Sequence, residues 1–219
     1  MESKCQKERS EVDWLNQEES DSFEDILKER GYFNFGDYRL CYGCERPLRS
    51  IENGETLEKA LILFGNSMAG EKEFAEYIKK VYQGLIFDSD LSGSLRRLEA
   101  GLAVRKKEIL YHLYCIEKEI PEILGHTQMM DNQALGKAMS IPCSPERSRA
   151  LVEAELTKTA DNGEIVCEMH TKMRQIGKNH KPDRIYFCAR VPDGIRLDGK
   201  KLEGAIYIYK ITEHSGGKK

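Results

Sequence analysis

Near residue 160 the spacing of apolar residues changes, and that change constrains the fold more than any other feature. Upstream, apolar residues recur three, four or seven positions apart: Phe74, Ile78, Val81 and Leu85, then Leu95, Leu98, Leu102, Ile109, Leu113, Ile116 and Ile120. That spacing belongs to helices with one apolar face. Beyond Asp161-Asn-Gly163 come short β-branched and aromatic runs: Glu164-Ile-Val-Cys-Glu-Met-His170, Arg184-Ile-Tyr-Phe-Cys-Ala-Arg190 and Gly204-Ala-Ile-Tyr-Ile-Tyr-Lys-Ile211. Turn residues separate these runs, as in a small antiparallel sheet. The chain therefore reads as α+β, a helical N-terminal region followed by a small antiparallel β-rich C-terminal module. The expected divisions are a polar tail over 1–20, the helical region over 21–158, the β-rich module over 159–214 and a flexible basic tail over 215–219.

Within the helical region, Asp21 or Ser22 caps a first helix that Gly31 stops. The aromatic, alternating stretch from Tyr32 to Cys44 predicts a short hairpin or irregular strands. Thr56 caps a short apolar helix over 57–64, and an amphipathic helix is expected over 71–87. After the polar break from Asp88 to Ser94, the longest helix is expected over 94–120, ended or kinked by Pro121. A short helix follows over 133–139. Ser144 is then expected to cap a last helix, with Pro145 at its first position and its end near Lys158. The stripe over 94–120 suits a bundle core. It also suits the seam of a homodimer, although Arg105 interrupts it.

Composition narrows the class. Of 219 residues, 40% are apolar, enough for one sizeable core or two small ones. No run approaches eighteen consecutive apolar residues, so no membrane partner is expected. The opening residues lack the apolar stretch of a secretory signal. The seven cysteines are an odd number in a long chain, which suits free thiols in a reducing cytoplasm. The net charge of −3 is unevenly spread. Residues 171–219 hold twelve Lys and Arg against five Asp and Glu, a net +7, which leaves −10 for residues 1–170. A basic last quarter on an acidic body predicts an anionic partner, or an electrostatic dock between the two parts.

The densest basic stretch runs from Met169 to Arg184. Lys172, Arg174, Lys178, His180, Lys181 and Arg184 are its candidate nucleic-acid contacts, to RNA or DNA phosphates and base edges. Cys41-Tyr-Gly-Cys44 has the spacing of one zinc knuckle, and His112 with Cys115 supplies an i, i+3 pair on one helix face, so zinc is the candidate cofactor. Asp88, Asp90, Ser92 and Glu99 fall at the ligand positions of a twelve-residue calcium loop with Gly93 in sixth place. Leu85-Ile-Phe-Asp88-Ser-Asp90 also resembles the first motif of haloacid-dehalogenase-type phosphotransferases. That motif needs a strand end, whereas the periodicity here is helical.

Arg184-Ile-Tyr-Phe, a charged turn, and Ala205-Ile-Tyr-Ile-Tyr-Lys-Ile-Thr-Glu-His214 together resemble the strand core of RelE-type bacterial toxins, over about 50 of the 219 residues. These toxins are ribosome-dependent ribonucleases that position RNA with basic residues. The resemblance implies Arg184, Lys210 and His214 as candidate catalytic residues. Three functions thus stand as expectations: a nucleic-acid-binding, RNA-interacting protein acting through the basic module; a RelE-like ribonuclease; and a non-catalytic protein that dimerises through the 94–120 helix.

Overall fold

A computed structural model describes the backbone of residues 32–35 and 38–41, then residues 65, 68–126, 131–178 and 181–214. The chain divides into two compact units, 1–69 and 70–219. In the first, β1 (Tyr32–Phe35) and β2 (Tyr38–Cys41) pair antiparallel with Tyr32 opposite Cys41, the hairpin that the alternating aromatics predict. The helices expected over 21–31 and 57–64, and the tails over 1–20 and 215–219, lie outside the described residues.

The second unit holds the helices and the main sheet. In chain order these are α1 (Glu71–Val81), β3 (Leu85–Phe87), α2 (Leu91–Leu95), α3 (Leu102–His126), α4 (Asn132–Ala138), β4 (Cys143–Pro145), α5 (Arg149–Glu155), β5 (Thr157–Ala160), β6 (Gly163–Val166), β7 (Met169–Lys172), β8 (Arg184–Cys188), β9 (Arg196–Leu197), β10 (Lys200–Lys201) and β11 (Ile206–Thr212). Five strands make the main sheet in the order β3-β11-β8-β7-β4. Its pairs are antiparallel except β3 with β11, which is parallel. The fold is α+β, with helices leading and the sheet following. No helix among the described residues is long and apolar enough to cross a membrane.

Four elements differ from the sequence expectation. The helix expected over 71–87 stops at Val81, and Leu85–Phe87 becomes an edge strand against β11. The long helix starts at Leu102, because Gly101 turns the chain at φ +76° and separates it from α2. Pro121 does not end it: the helix continues to His126. Ser144-Pro145 belongs to β4, an edge strand where a missing N–H is tolerated. The helix begins instead after Ser148, whose hydroxyl accepts from the Leu151 N–H at 3.3 Å. The β-rich module is thus not a separate tract, since β3 and β4 come from the helical stretch and complete both edges of the sheet.

Strand alternation gives the sheet two different faces. Met169, Thr171, Ile185, Phe187, Ile208 and Ile211 form one, all buried. α3 lies on this side: His112 Nδ1 meets Thr171 Oγ1 at 2.9 Å. The α3 stripe of Leu102, Ile109, Leu113, Ile116 and Ile120 is buried within a single copy of the chain. The seam that the homodimer expectation for the 94–120 helix would use is thus covered within one copy. The opposite face carries Ser144, His170, Lys172, Arg184, Tyr186, Cys188, Tyr207, Lys210 and Thr212, by the cross-strand register. Val152 and Leu156 pack on Tyr186 there, and Ile165 and Cys167 pack with Cys188 and Tyr207. At Gly136 an added Cβ would lie 2.7 Å from the Cys143 carbonyl oxygen, so α4 reaches β4 only because this residue is glycine.

Arg105, which breaks the apolar stripe in the sequence, anchors the start of α3. It is 2% exposed, and its Nε donates to Asp183 Oδ2 at 2.7 Å. Asp183 is fully buried and also accepts from the Glu99 N–H at 2.8 Å and the Ala100 N–H at 3.4 Å. Removing one partner of such a pair leaves an uncompensated buried charge, whereas replacing both with apolar groups need not. Asp183→Ala is therefore expected to lower the urea unfolding free energy by about 3 to 5 kcal/mol, with most of that loss absent from an Arg105→Met/Asp183→Leu double variant. Equal losses in the two variants would contradict this account.

Candidate nucleic-acid interface

The loop between β7 and β8 carries the cations that the sequence singles out. Lys172, Arg174, Lys178 and Lys181 are exposed. None of the four makes an ion pair among the described residues. From Lys172 to Lys181 there is no acidic residue. His180 lies outside the described residues. The base of the loop is fixed: the Met173 N–H donates to the Asp183 carbonyl at 2.9 Å, and the Arg174 N–H donates to the Glu108 carboxylate. Glu108 in turn accepts from Arg105 at 2.7 Å. Asp183 and Glu108 are thus turned inward, onto Arg105 and backbone N–H groups, while Glu99 stays exposed beside the loop. Between the loop and α3 lies a cleft of about 240 Å³ lined by Glu99, Ala100, Val104, Arg105, Ile176 and Lys181. Val104 and Ile176 are 58% and 36% exposed.

Arg184 differs from the other cations. It is 8% exposed, and its Nη1 donates to Glu146 Oε2 at 2.9 Å and to the Tyr186 hydroxyl at 3.2 Å. It is buried and paired, unlike the four exposed cations of the loop.

Lys210 pairs with Tyr186 across the sheet and Thr212 with Arg184, so Lys210 and Arg184 share one face of adjacent strands. The Lys210 amino group donates to the Glu155 carbonyl at 2.6 Å and lies 4.5 Å from the Tyr209 ring centroid. His214 follows two residues beyond Thr212 and is partly buried.

A second polar cluster sits where β3 ends. Asp88 is 3% exposed, and its Oδ2 accepts from the Tyr207 hydroxyl at 2.6 Å and from Lys158 Nζ at 2.7 Å. Its Oδ1 accepts from the Asp90 N–H at 2.8 Å. Burial pushes this carboxyl up, but Lys158, Tyr207 and the Asp90 N–H together hold it below the ordinary Asp range. Asp88 does stand at a strand end, yet the sheet is mostly antiparallel, unlike the doubly wound sheet of haloacid-dehalogenase-type enzymes.

The calcium reading is corrected by the same geometry. Leu91–Leu95 is helical inside the expected loop, Asp88 is already held by a cation, and Asp90 and Glu99 are exposed. For zinc, Cys41 lies on β2 in the first unit and Cys44 outside the described residues. His112 and Cys115 are both buried on α3, His112 against Thr171 and Cys115 with the Ser140 hydroxyl at 3.8 Å from its sulfur. Burial pushes the Cys115 thiol up to about 11. Among the described residues no three His, Cys, Asp or Glu side chains are grouped to hold a metal ion.

Two histidines are held neutral. Burial, followed by Arg105, lowers His112 to about 4. Burial, followed by Arg184 and Lys172, lowers His170 to about 4. Glu146 and Asp183 carry no signal on sequence grounds, whereas His170 falls within the basic stretch that begins at Met169. The alternation His170-x-Lys172 opposite Arg184-x-Tyr186 puts His170 and Arg184 on one face. The chain matches no protein-family model, no curated protein and no solved structure.

The lowered histidines fix the sign of a pH effect. A histidine whose folded value lies below its unfolded one binds fewer protons when folded, so stability is lost as pH falls from about 6.5 to 4. Each contributes a loss of about 3 kcal/mol by pH 4. Urea unfolding across this window should show a steep decline that flattens in a His112→Gln/His170→Gln variant. An unchanged slope in that variant would contradict the assignment.

Proposed function

We propose that the chain binds nucleic acid, RNA in the first place, through the exposed cations of the β7–β8 loop: Lys172, Arg174, Lys178 and Lys181. The observation that carries this reading is the loop's charge balance. Four cations stand exposed without an acidic residue between them, on a base held by Asp183 and Glu108. Cations left unpaired by their own protein attract phosphate, and releasing counterions from the polyanion drives binding. Gln175 and Asn179 add groups that suit base edges. The cleft beside Ile176 and Val104 offers an apolar wall for an unstacked base. As for the ribonuclease reading, two of the residues that the toxin resemblance implies, Arg184 and Lys210, share a face. Their side chains already hold Glu146 and the Glu155 carbonyl, which favours binding over catalysis as the primary reading.

Fluorescence anisotropy with a labelled single-stranded RNA tests the proposal. Four phosphate contacts predict a log–log salt slope of about −3 for a single strand. Replacing the four cations with Gln is expected to flatten the slope and weaken binding by at least roughly tenfold at low salt. Unchanged affinity for RNA and for DNA would refute it.

A further inference from the structure

Beneath the connection from β4 to α5 lies a further cluster of nitrogen-bearing side chains. Cross-strand register puts Ser144, His170, Tyr186 and Lys210 in one row and Lys172, Arg184 and Thr212 in the next. His170 is 2% exposed, and neither ring nitrogen has a hydrogen-bond partner. Arg184 Nε is buried and lacks a partner as well. A buried polar group left unsatisfied costs about 1 to 3 kcal/mol. Neutral His170 has one N–H to donate, so with Arg184 Nε two donors in adjacent rows mark a place that an acceptor-rich group would complete.

One acceptor already occupies part of it. Glu146 gives Oε2 to Arg184, while its Oε1 accepts from the Arg147 and Ser148 N–H groups at 2.9 and 3.2 Å. A carboxylate has two oxygens, and only one of them reaches the guanidinium. A phosphate has the same sign of charge and more oxygens. It can engage Nη1 and Nε together, the bidentate geometry that arginine favours, and leave an oxygen for His170. Glu146 directly follows the edge strand β4, so its side chain can swing outward without disturbing the core. Lys172, exposed and directly opposite Arg184, links this face to the cationic loop.

We infer that Arg184 and His170, with Tyr186 beside them, form a phosphate-binding site that Glu146 fills with its own carboxylate, and that a phosphate of bound nucleic acid displaces Glu146. The identity of the anion rests on the nucleic-acid reading; the site itself does not. Lys172, Arg184, Glu146 and Tyr186 are the charged and titratable groups that face His170.

The test uses the full chain with isotope-labelled histidine, titrated with inorganic phosphate and followed by NMR. In Glu146→Gln, phosphate should shift the His170 ring resonances and saturate at a concentration about tenfold lower than in the unaltered chain, the change expected when a competing charged acceptor is withdrawn. Adding Arg184→Gln to that variant should abolish the response. Absence of a His170 response in Glu146→Gln, or its persistence without Arg184, overturns the site. Should Glu146→Gln fail to fold, Glu146→Asp keeps the charge but draws it back from Arg184, and the same increase is expected. A loop variant lacking Arg174, Lys178 and Lys181 but keeping Lys172 should retain the response in the Glu146→Gln background, so failure of the loop reading is distinguishable from failure of the site. With labelled RNA, Glu146→Gln should raise affinity about tenfold. Unchanged RNA affinity alongside a phosphate response overturns displacement by nucleic acid and points to free phosphate as the ligand.

Discussion

The Asp183 carboxylate joins parts of the chain that are far apart in sequence. It accepts from the Glu99 and Ala100 N–H groups and from Arg105, 78 to 84 residues away. It thereby fixes the turn before α3 against the start of β8. Arg105 reaches onward to Glu108, and Glu108 accepts from the Arg174 N–H. The start of the long helix, the start of the central strand and the base of the cationic loop thus share one buried network. Such a network adds little net stability over an apolar substitute, because both ions must be desolvated. Its strength is geometric: two carboxylates and one guanidinium have directional partners, and a slipped register would leave them buried and unpaired.

The same division of labour runs through the sheet. The face against α3 is apolar and supplies the burial that drives folding. The other face mixes apolar contacts with fixed polar groups. Asp88, Lys158 and Tyr207 tie β3, β5 and β11 together, with Tyr207 raised by burial and by the neighbouring carboxylate. Towards the β4 edge, Arg184, Glu146 and His170 lie under the start of α5, where the polar groups are less completely satisfied. The Asp88 cluster, in which every carboxylate oxygen has a donor, reads as a structural tie. The His170 region, with donors to spare, reads as a place for a ligand.

How much of this was legible depended on whether the deciding contact was local. The hairpin β1–β2, the helix α4 and the strands β8 and β11 follow from alternation and caps within a few residues. β3 was hidden because Leu85 continues the spacing of Phe74, Ile78 and Val81, while the partner that makes it a strand, Tyr207 opposite Ile86, lies far along the chain. Ser144-Pro145 carries a valid helix-start signal that lost to edge pairing with Met169. The stretch from Glu164 to His170 reads as one run but serves two sheets, with β6 pairing β5 and β7 joining the main sheet. Among candidate residues, the exposed lysines were readable as a charge run without acids. The burial of Arg184 and the proximity of His170 and Glu146 required the register of three strands.

Amide hydrogen exchange tests the central claim most directly, since it reports whether the Asp183 network holds the loop base and the α3 turn in one unit. The account predicts that the Glu99, Ala100 and Arg174 amides, none of which lies in a strand or helix, exchange as slowly as those of Ile185 and Phe187 in β8, and that Asp183→Asn releases all three together. Rapid exchange at these amides while β8 stays protected would contradict it.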